Sequence, residues 1–191
     1  MIAPMIDAFK GRNLVEQSLA AAAAASATLL IGAHLFERIG GLAPCPLCLD
    51  QREAHWTGLA LAAVGLVAAL ALKWRRAAIA TAGACALVYL VSSGLAFYHA
   101  GVENHYWPGP ATCAGGGPVD LGAGGLADIL NQKPAAPSCS EAAWRFLGVS
   151  MAGYNLLVSA GLFAFCLIAA IFAARDERRS RHGSIKNGGE R

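Results

Sequence analysis

The chain has 191 residues, 56% of them hydrophobic and 14% charged, with a mean hydropathy of +0.48 and a formal net charge of +3. Soluble domains carry about 25% charged residues, so this composition excludes an ordinary water-soluble globule and places the chain in the membrane class. The small positive charge implies no nucleic-acid partner, because a one-sided placement of Lys and Arg around membrane spans accounts for it.

Residues 1–18 read as a short polar lead with Pro4 and Gly11. A spanning helix needs about 20 mainly apolar residues. Four stretches approach that, at 19–36, 56–72, 77–98 and 146–174, the second being short unless it reaches back toward Leu49. Ala25-Ser26-Ala27 imitates a signal-peptide cleavage site, but apolar residues continue past it to Phe36 and favour a span. The fold class expected is all-α, a membrane four-helix bundle, with one domain over 19–174, a short outer loop at 37–48, a long outer loop at 99–148 and a basic tail at 175–191. Helix two opens on Asp50, Gln51, Arg52, Glu53 and His55, residue types suited to the lipid headgroup layer. Small residues such as Gly58, Gly65, Gly83, Gly94, Gly153 and Gly161 suit close helix packing in lipid. The long loop holds eight glycines and five prolines between 101 and 141. A short surface helix at 121–132 is expected there, with Leu126, Ile129 and Leu130 toward the membrane. Helix four is expected to begin near Ala142, capped by Ser140. Trp56, Trp107 and Trp144 read as interface anchors. Eleven of the fifteen basic residues fall on one side: Lys10 and Arg12 in the lead, Lys73, Arg75 and Arg76 in the second connection, and six in the tail. Both termini are therefore expected in the cytoplasm, the tail as a disordered segment facing anionic lipid.

Six cysteines divide between the two environments. Cys85 and Cys166 lie inside apolar helices and read as small packing residues. Cys45, Cys48, Cys113 and Cys139 fall outside, where disulfides persist. Cys45-Pro46-Leu47-Cys48 is a C-x-x-C pair at the mouth of helix two. Three readings stay open for it: a redox-active pair, a plain structural disulfide, and a metal site. Haem attachment is excluded because Leu49, not His, follows Cys48. A structural zinc site favours two closely spaced pairs, whereas 25 residues separate Cys113 from Cys139. Cys48 at a helix N-terminus suits a reactive thiolate. Arg52 lies one turn deeper on the same face; its guanidinium suits both that thiolate and a reduced carbonyl oxygen on a bound acceptor, against the plainer reading of an arginine snorkelling to the interface. A Cys113–Cys139 bridge would stabilise by about 3–4 kcal/mol as a static staple, or exchange with the C-x-x-C pair through a mixed disulfide. His99, Glu103 and His105 cluster at the outer end of helix three, His99 reading as a proton relay to the acceptor or as an interfacial histidine. No phosphate-cradling loop, zinc-protease motif, hydrolase triad, or nicotinamide or flavin fingerprint is present.

Three features together carry a resemblance. They are Cys45-x-x-Cys48 followed by Gln51-Arg52; Tyr98-His99-Ala100-Gly101-Val102-Glu103 with Trp107-Pro108-Gly109-Pro110 ahead of Cys113; and Cys139 ahead of helix four. Over about residues 15–175 the chain resembles the DsbB family of quinone-dependent disulfide-forming membrane proteins. The resemblance implies a multi-pass protein of the bacterial inner membrane that reoxidises a periplasmic DsbA-type thioredoxin-fold oxidase and passes the electrons to ubiquinone or menaquinone. It implies that Cys113 forms the mixed disulfide with the partner and Cys139 resolves it, that Cys45 exchanges with Cys139, and that Cys48 faces the quinone with Arg52 beside it; His99, from its place at the end of helix three, is the further candidate for binding the quinone. No metal is implied. The alternatives are a thiol reductase resembling the vitamin K epoxide reductase family, a metal-handling membrane protein, and a non-catalytic membrane protein with two structural disulfides.

Overall fold

The computed structural model describes residues 2–113 and 137–188, and the side chains of 14–113 and 137–182. Helix α1 (Ile2–Arg38) is followed by α2 (Pro46–Leu66), which a π-helical turn over Val67–Ala71 prolongs. Then come α3 (Arg75–Glu103) and α4 (Met151–Gly188). Each contains a stretch long and apolar enough to cross a membrane: Leu14–Arg38, Pro46–Ala71, Arg75–Glu103 and Met151–His182. Each helix packs on its neighbour in sequence except that α4 returns to close the ring against α1, and α1 meets α3 across the middle. The expected all-α membrane four-helix bundle is what the chain forms.

Its packing is that of a bundle built for lipid. Large apolar side chains point outward, Leu87, Val91, Leu157 and Phe172 among them, while the interior is lined by Ala22, Ala62, Ala82, Ala169, Cys85 and Cys166 around Leu19 and Tyr89. In lipid, burying large hydrophobes against one another offers no advantage over leaving them in acyl chains, so association rests on small residues and close approach. Gly58 meets the Tyr89 ring and Gly65 meets Leu19 and Thr81, in both cases so closely that an added Cβ would force these side chains to shift. Gly83, Gly94 and Gly161 have no such neighbour, so helix contact does not explain them.

Several boundaries differ from the sequence reading. The lead is helical from Ile2 and continuous with α1. Helix two begins at Pro46, which supplies its first-turn residue without leaving an N–H unpaired. Helix four does not begin near Ala142. Arg145–Phe146 and Val149–Ser150, strands β1 and β2, form a two-residue-loop hairpin. Leu147 and Gly148 take φ of 50° and 80°, the left-handed pair such a loop requires. The cap is Ser150, not Ser140: the Ser150 hydroxyl accepts the Gly153 N–H at 3.1 Å, while Ser140 bonds Ser138. At the other end α4 runs on to Gly188. Asp176 and Glu177 tie α4 to Arg75 and Arg76 at the start of α3, so the bundle continues past Ala174 at least to these residues. The surface helix expected at 121–132 lies outside the described residues.

Candidate functional site

At the end of the bundle where α1 passes into α2, Cys45 is the N-cap of α2, its sulfur accepting the Cys48 N–H at 3.3 Å. This capping folds the first turn so that the two sulfurs of the pair stand 2.8 Å apart. Both are free thiols; Cys45 is buried and Cys48 partly so. The Cys48 sulfur, and then burial, push the Cys45 thiol up, so Cys45 gives up its proton reluctantly. Cys113 ends a 3-10 turn over Ala111–Cys113 and is disulfide-bonded to Cys139. The pairing expected from the sequence is therefore present. Cys45, Leu47, Val102, Cys113 and Cys139 form one buried cluster, with Cys48, Tyr98 and Trp107 packed against it. Donor atoms of Cys45, His99 and Cys139 lie within 4.8 Å of one another, which sets the two cysteine pairs side by side. The Cys139 sulfur is committed to the disulfide, so this trio lacks the second thiolate that a soft metal favours.

Trp107 is a structural plug more than an interface anchor. Its indole N–H donates to the Tyr98 carbonyl at 2.9 Å, and its ring lies among Phe97, Tyr98 and Tyr106. It covers Gly101 so closely that an added Cβ would fall 1.9 Å from the ring. Gly101→Ala is therefore expected to cost about 1–3 kcal/mol by overpacking and to loosen the turn that carries Cys113. Thermal unfolding in detergent, with alkylation of Cys113 after mild reduction, would show both effects; an unchanged midpoint would mean that Trp107 is not fixed there.

Beside the pair, a cavity of about 470 Å³ opens between α1, α2 and α4 and under the β-hairpin. Leu30, Ala33 and Phe36, with Trp144, Met151 and Val158, give it apolar walls, and Cys48, Arg52 and His99 bring polar atoms to it. Trp144 stacks on Phe146 and leans on Phe36 and Tyr154, so it is a wall of this cavity. The Arg52 guanidinium is held by α1: one nitrogen pairs with the Glu37 carboxylate, and the other donates to the Ala33 carbonyl at 3.3 Å. Arg52 is thus a fixed cation rather than one snorkelling in lipid.

Polar residues expected in the headgroup layer are buried in the bundle. Asp50 and Glu53 are exposed, but Gln51 and His55 face inward. His99 Nδ1 is 2.8 Å from Gln51 Nε2, and its Nε2 is 3.7 Å from the Cys45 sulfur and 3.8 Å from Glu103. Gln51 bonds Asn155 of α4 at 2.6 Å, and Asn155 in turn meets His55 at 2.7 Å and Ser159 at 2.9 Å. His55 continues to Ser26 of α1 at 3.0 Å. Glu103 accepts from the Ser150 hydroxyl, while His105 is exposed and outside this network.

The profile of the family described as Disulfide bond formation protein DsbB matches residues 16–169. The chain belongs to the DsbB family. It is 35% identical over 144 residues to the Disulfide bond formation protein B of Aromatoleum aromaticum, covering 73% of this chain and 84% of that relative. The protein of the same name from Methylococcus capsulatus is 31% identical over 153 residues, 74% of this chain and 85% of its own. That from Polaromonas is 29% identical over 186 residues, 94% and 99% of the two. No solved structure gives a significant match. As a DsbB-family chain it is a multi-pass membrane protein of disulfide bond formation, and its paired cysteines sit together at one end of the bundle.

Sequence reasoning did not find Glu37, Gln51, His55 and Asn155 as neighbours of the site. A signal for two of them was present: Gln51, His55, Gly58, Ala62 and Gly65 recur at alternating spacings of four and three, one buried stripe of α2. The small residues on that stripe mark it as the packed face, and the polar pair shares it.

Proposed function

We propose that this protein is a thiol:quinone oxidoreductase that reoxidises a periplasmic DsbA-type thioredoxin-fold dithiol and delivers the electrons to a membrane quinone. The observation that carries this reading is the approach of Cys45 to Cys139 within 4.8 Å, which joins an outer disulfide to an inner dithiol at the wall of an apolar cavity. Four cysteines in exchange contact beside a cavity are more than two structural staples require.

The chemistry balances as two exchanges. A partner thiolate attacks Cys113 in the Cys113–Cys139 disulfide, Cys139 leaves as thiolate, and the partner's second thiol closes its own disulfide, so the outer pair holds two thiols. Cys139 then attacks Cys45 in a Cys45–Cys48 disulfide and Cys48 leaves as thiolate. Cys113 displaces Cys45 from the mixed bond, restoring Cys113–Cys139 and leaving Cys45 and Cys48 reduced. Quinone, when bound, supplies the two-electron, two-proton acceptor that reoxidises this dithiol. The cavity fits such a group: pockets for small ligands run about 300–1,000 Å³ with apolar walls and a few placed polar groups, and this one offers Cys48, Arg52 and His99 together. Arg52, held by Glu37 and Ala33, would bind a carbonyl oxygen with fixed positive charge; Trp144 and Phe36 would hold the ring and exclude water.

Purified protein supplied with a reduced thioredoxin-fold dithiol partner and ubiquinone should consume one quinone per disulfide formed, followed by quinone absorbance and thiol titration. Oxidation of the partner without quinone consumption would leave the non-catalytic reading as the better one. The same proposal puts both termini in the cytoplasm of a bacterial inner-membrane protein. Reporter fusions at Trp74 and His105 should then report opposite sides, Trp74 inside; the reverse assignment would place the cysteines in a reducing compartment and end the proposal.

A further inference from the structure

We infer that Gln51, Asn155 and His55 are positioning residues that lock His99 in the tautomer whose Nε2–H points at the Cys45 sulfur. The inference rests on the relay proposed above and names how its inner exchange is assisted. The Leu47 carbonyl can only accept, and the Gln51 atom 3.1 Å from it is therefore the amide nitrogen. That same nitrogen faces His99 Nδ1 at 2.8 Å, so Nδ1 accepts and the ring proton of neutral His99 sits on Nε2. Gln51 Oε1 is left to accept from Asn155 Nδ2 at 2.6 Å. Asn155 Oδ1 then accepts from the Ser159 hydroxyl and from His55 Nε2–H. His55 Nδ1 accepts from Ser26, whose oxygen and the Ala22 carbonyl are the acceptors open to the Tyr89 hydroxyl. From Ser26 to Cys45 every donor points the same way, toward the cysteines. Members of such a chain polarise one another in a low-dielectric interior, and all of Ser26, His55, Gln51, Asn155 and His99 are under a tenth exposed.

The last donor stands 3.7 Å from the sulfur on which charge develops, with the Glu103 carboxylate at 3.8 Å and the Cys139 backbone as the other acceptors beside His99. When the Cys113 thiolate attacks Cys139 of a Cys45–Cys139 bond, the Cys113–Cys139 bond forms, the Cys45–Cys139 bond breaks, and the electron pair goes to Cys45. A lone pair at His99 Nε2, the other tautomer, would repel that thiolate; the locked N–H stabilises it, and no proton is transferred.

The test uses protein labelled with nitrogen-15 histidine, with His99 assigned by its loss in His99→Gln. The wild-type spectrum should show His99 and His55 both protonated at Nε2 alone. Gln51→Met, close in volume and without donors or acceptors of that kind, should leave His99 a mixture of tautomers. In a Cys48→Ser background, which needs neither quinone nor partner, the Cys45 thiolate can exchange with the Cys113–Cys139 disulfide, Cys113 leaving, and acid quench with peptide mapping follows the return of the Cys45–Cys139 bond so formed to Cys113–Cys139. Adding Gln51→Met should slow that step about tenfold, the scale of one charge-assisted hydrogen bond. Asn155→Leu, one link further away, should act in the same direction by less, and serves if Gln51→Met does not fold. A wild-type His99 protonated at Nδ1, or a rate unmoved by both substitutions, overturns the inference. If the Cys48→Ser protein forms no Cys45–Cys139 bond, the relay fails, while the spectrum still decides the tautomer.

Discussion

Cys139→Ser is expected to stop quinone-dependent oxidation of the thiol partner, with a fall of about a thousandfold or more, the scale on which loss of a covalent nucleophile acts. Cys139 is the one cysteine bonded to the outer partner, Cys113, and within 4.8 Å of the inner one, Cys45, so no other sulfur can bridge the two pairs. Cys45→Ser, Cys48→Ser and Cys113→Ser should be as severe, but for different reasons that trapping can separate. Cys48→Ser should leave no Cys45–Cys48 disulfide for Cys139 to attack, so that the inner bond left to trap is a Cys45–Cys139 one in exchange with Cys113–Cys139. Cys113→Ser should fail to form the mixed disulfide with the partner. Cys85→Ala and Cys166→Ala should keep activity within about twofold, because their sulfurs lie in the apolar core of the bundle, 3.9 Å from the carbonyls of Gly58 and Ser18. Steady-state turnover with mapping of the accumulated disulfide checks each variant. Activity retained in Cys139→Ser would remove the bridging role and with it the relay.

The second large effect is expected at Arg52. Arg52→Ala should reduce quinone-dependent turnover about ten- to a hundredfold, corresponding to the roughly 1.5–3 kcal/mol of a hydrogen bond involving a charged group. It also leaves Glu37 without its cation at the cavity rim. Arg52→Lys should fall between the two, because one ammonium cannot reproduce a fork whose two nitrogens reach Glu37 and Ala33 separately. Single-turnover transfer from the partner to Cys113–Cys139 should be unchanged in both, since that step lies outside the cavity. Slowing of both steps alike would show Arg52 to be a general structural tie between α1 and α2. Glu37→Gln offers a further separation: it keeps an acceptor for Arg52 while removing the opposing charge. Its effect on quinone turnover should therefore be much smaller than that of Arg52→Ala.

These two sets of residues differ in how far the sequence reveals them. The spans, the fold class and the family were legible because lipid imposes a composition that needs no neighbours to interpret: about 20 apolar residues per crossing and small residues where helices meet. The closeness of Arg52 to the C-x-x-C pair was legible because it is written in residue type and short spacing. Cys45, Cys48 and Arg52 stand within eight residues of one another, on one helix whose geometry fixes their relation. The hairpin before α4 was not, because 142–150 carries enough apolar residues to continue a helix, and only the left-handed pair Leu147 and Gly148 decides otherwise. The approach of Cys45 to Cys139, 94 positions away, was implied only by the family resemblance, and the Glu37–Arg52 pair and the Gln51–Asn155–His55 network not at all. Each depends on which faces of α1, α2, α3 and α4 turn toward one another. That rotation is set by glycine contacts such as Gly58 on Tyr89 and by the demand that every buried polar group find a partner. Both are properties of the assembled bundle. A polar side chain at the end of a membrane helix reads the same in sequence whether it meets water or the interior; the packing of four helices turned Gln51 and His55 inward and left Asp50 and Glu53 outside.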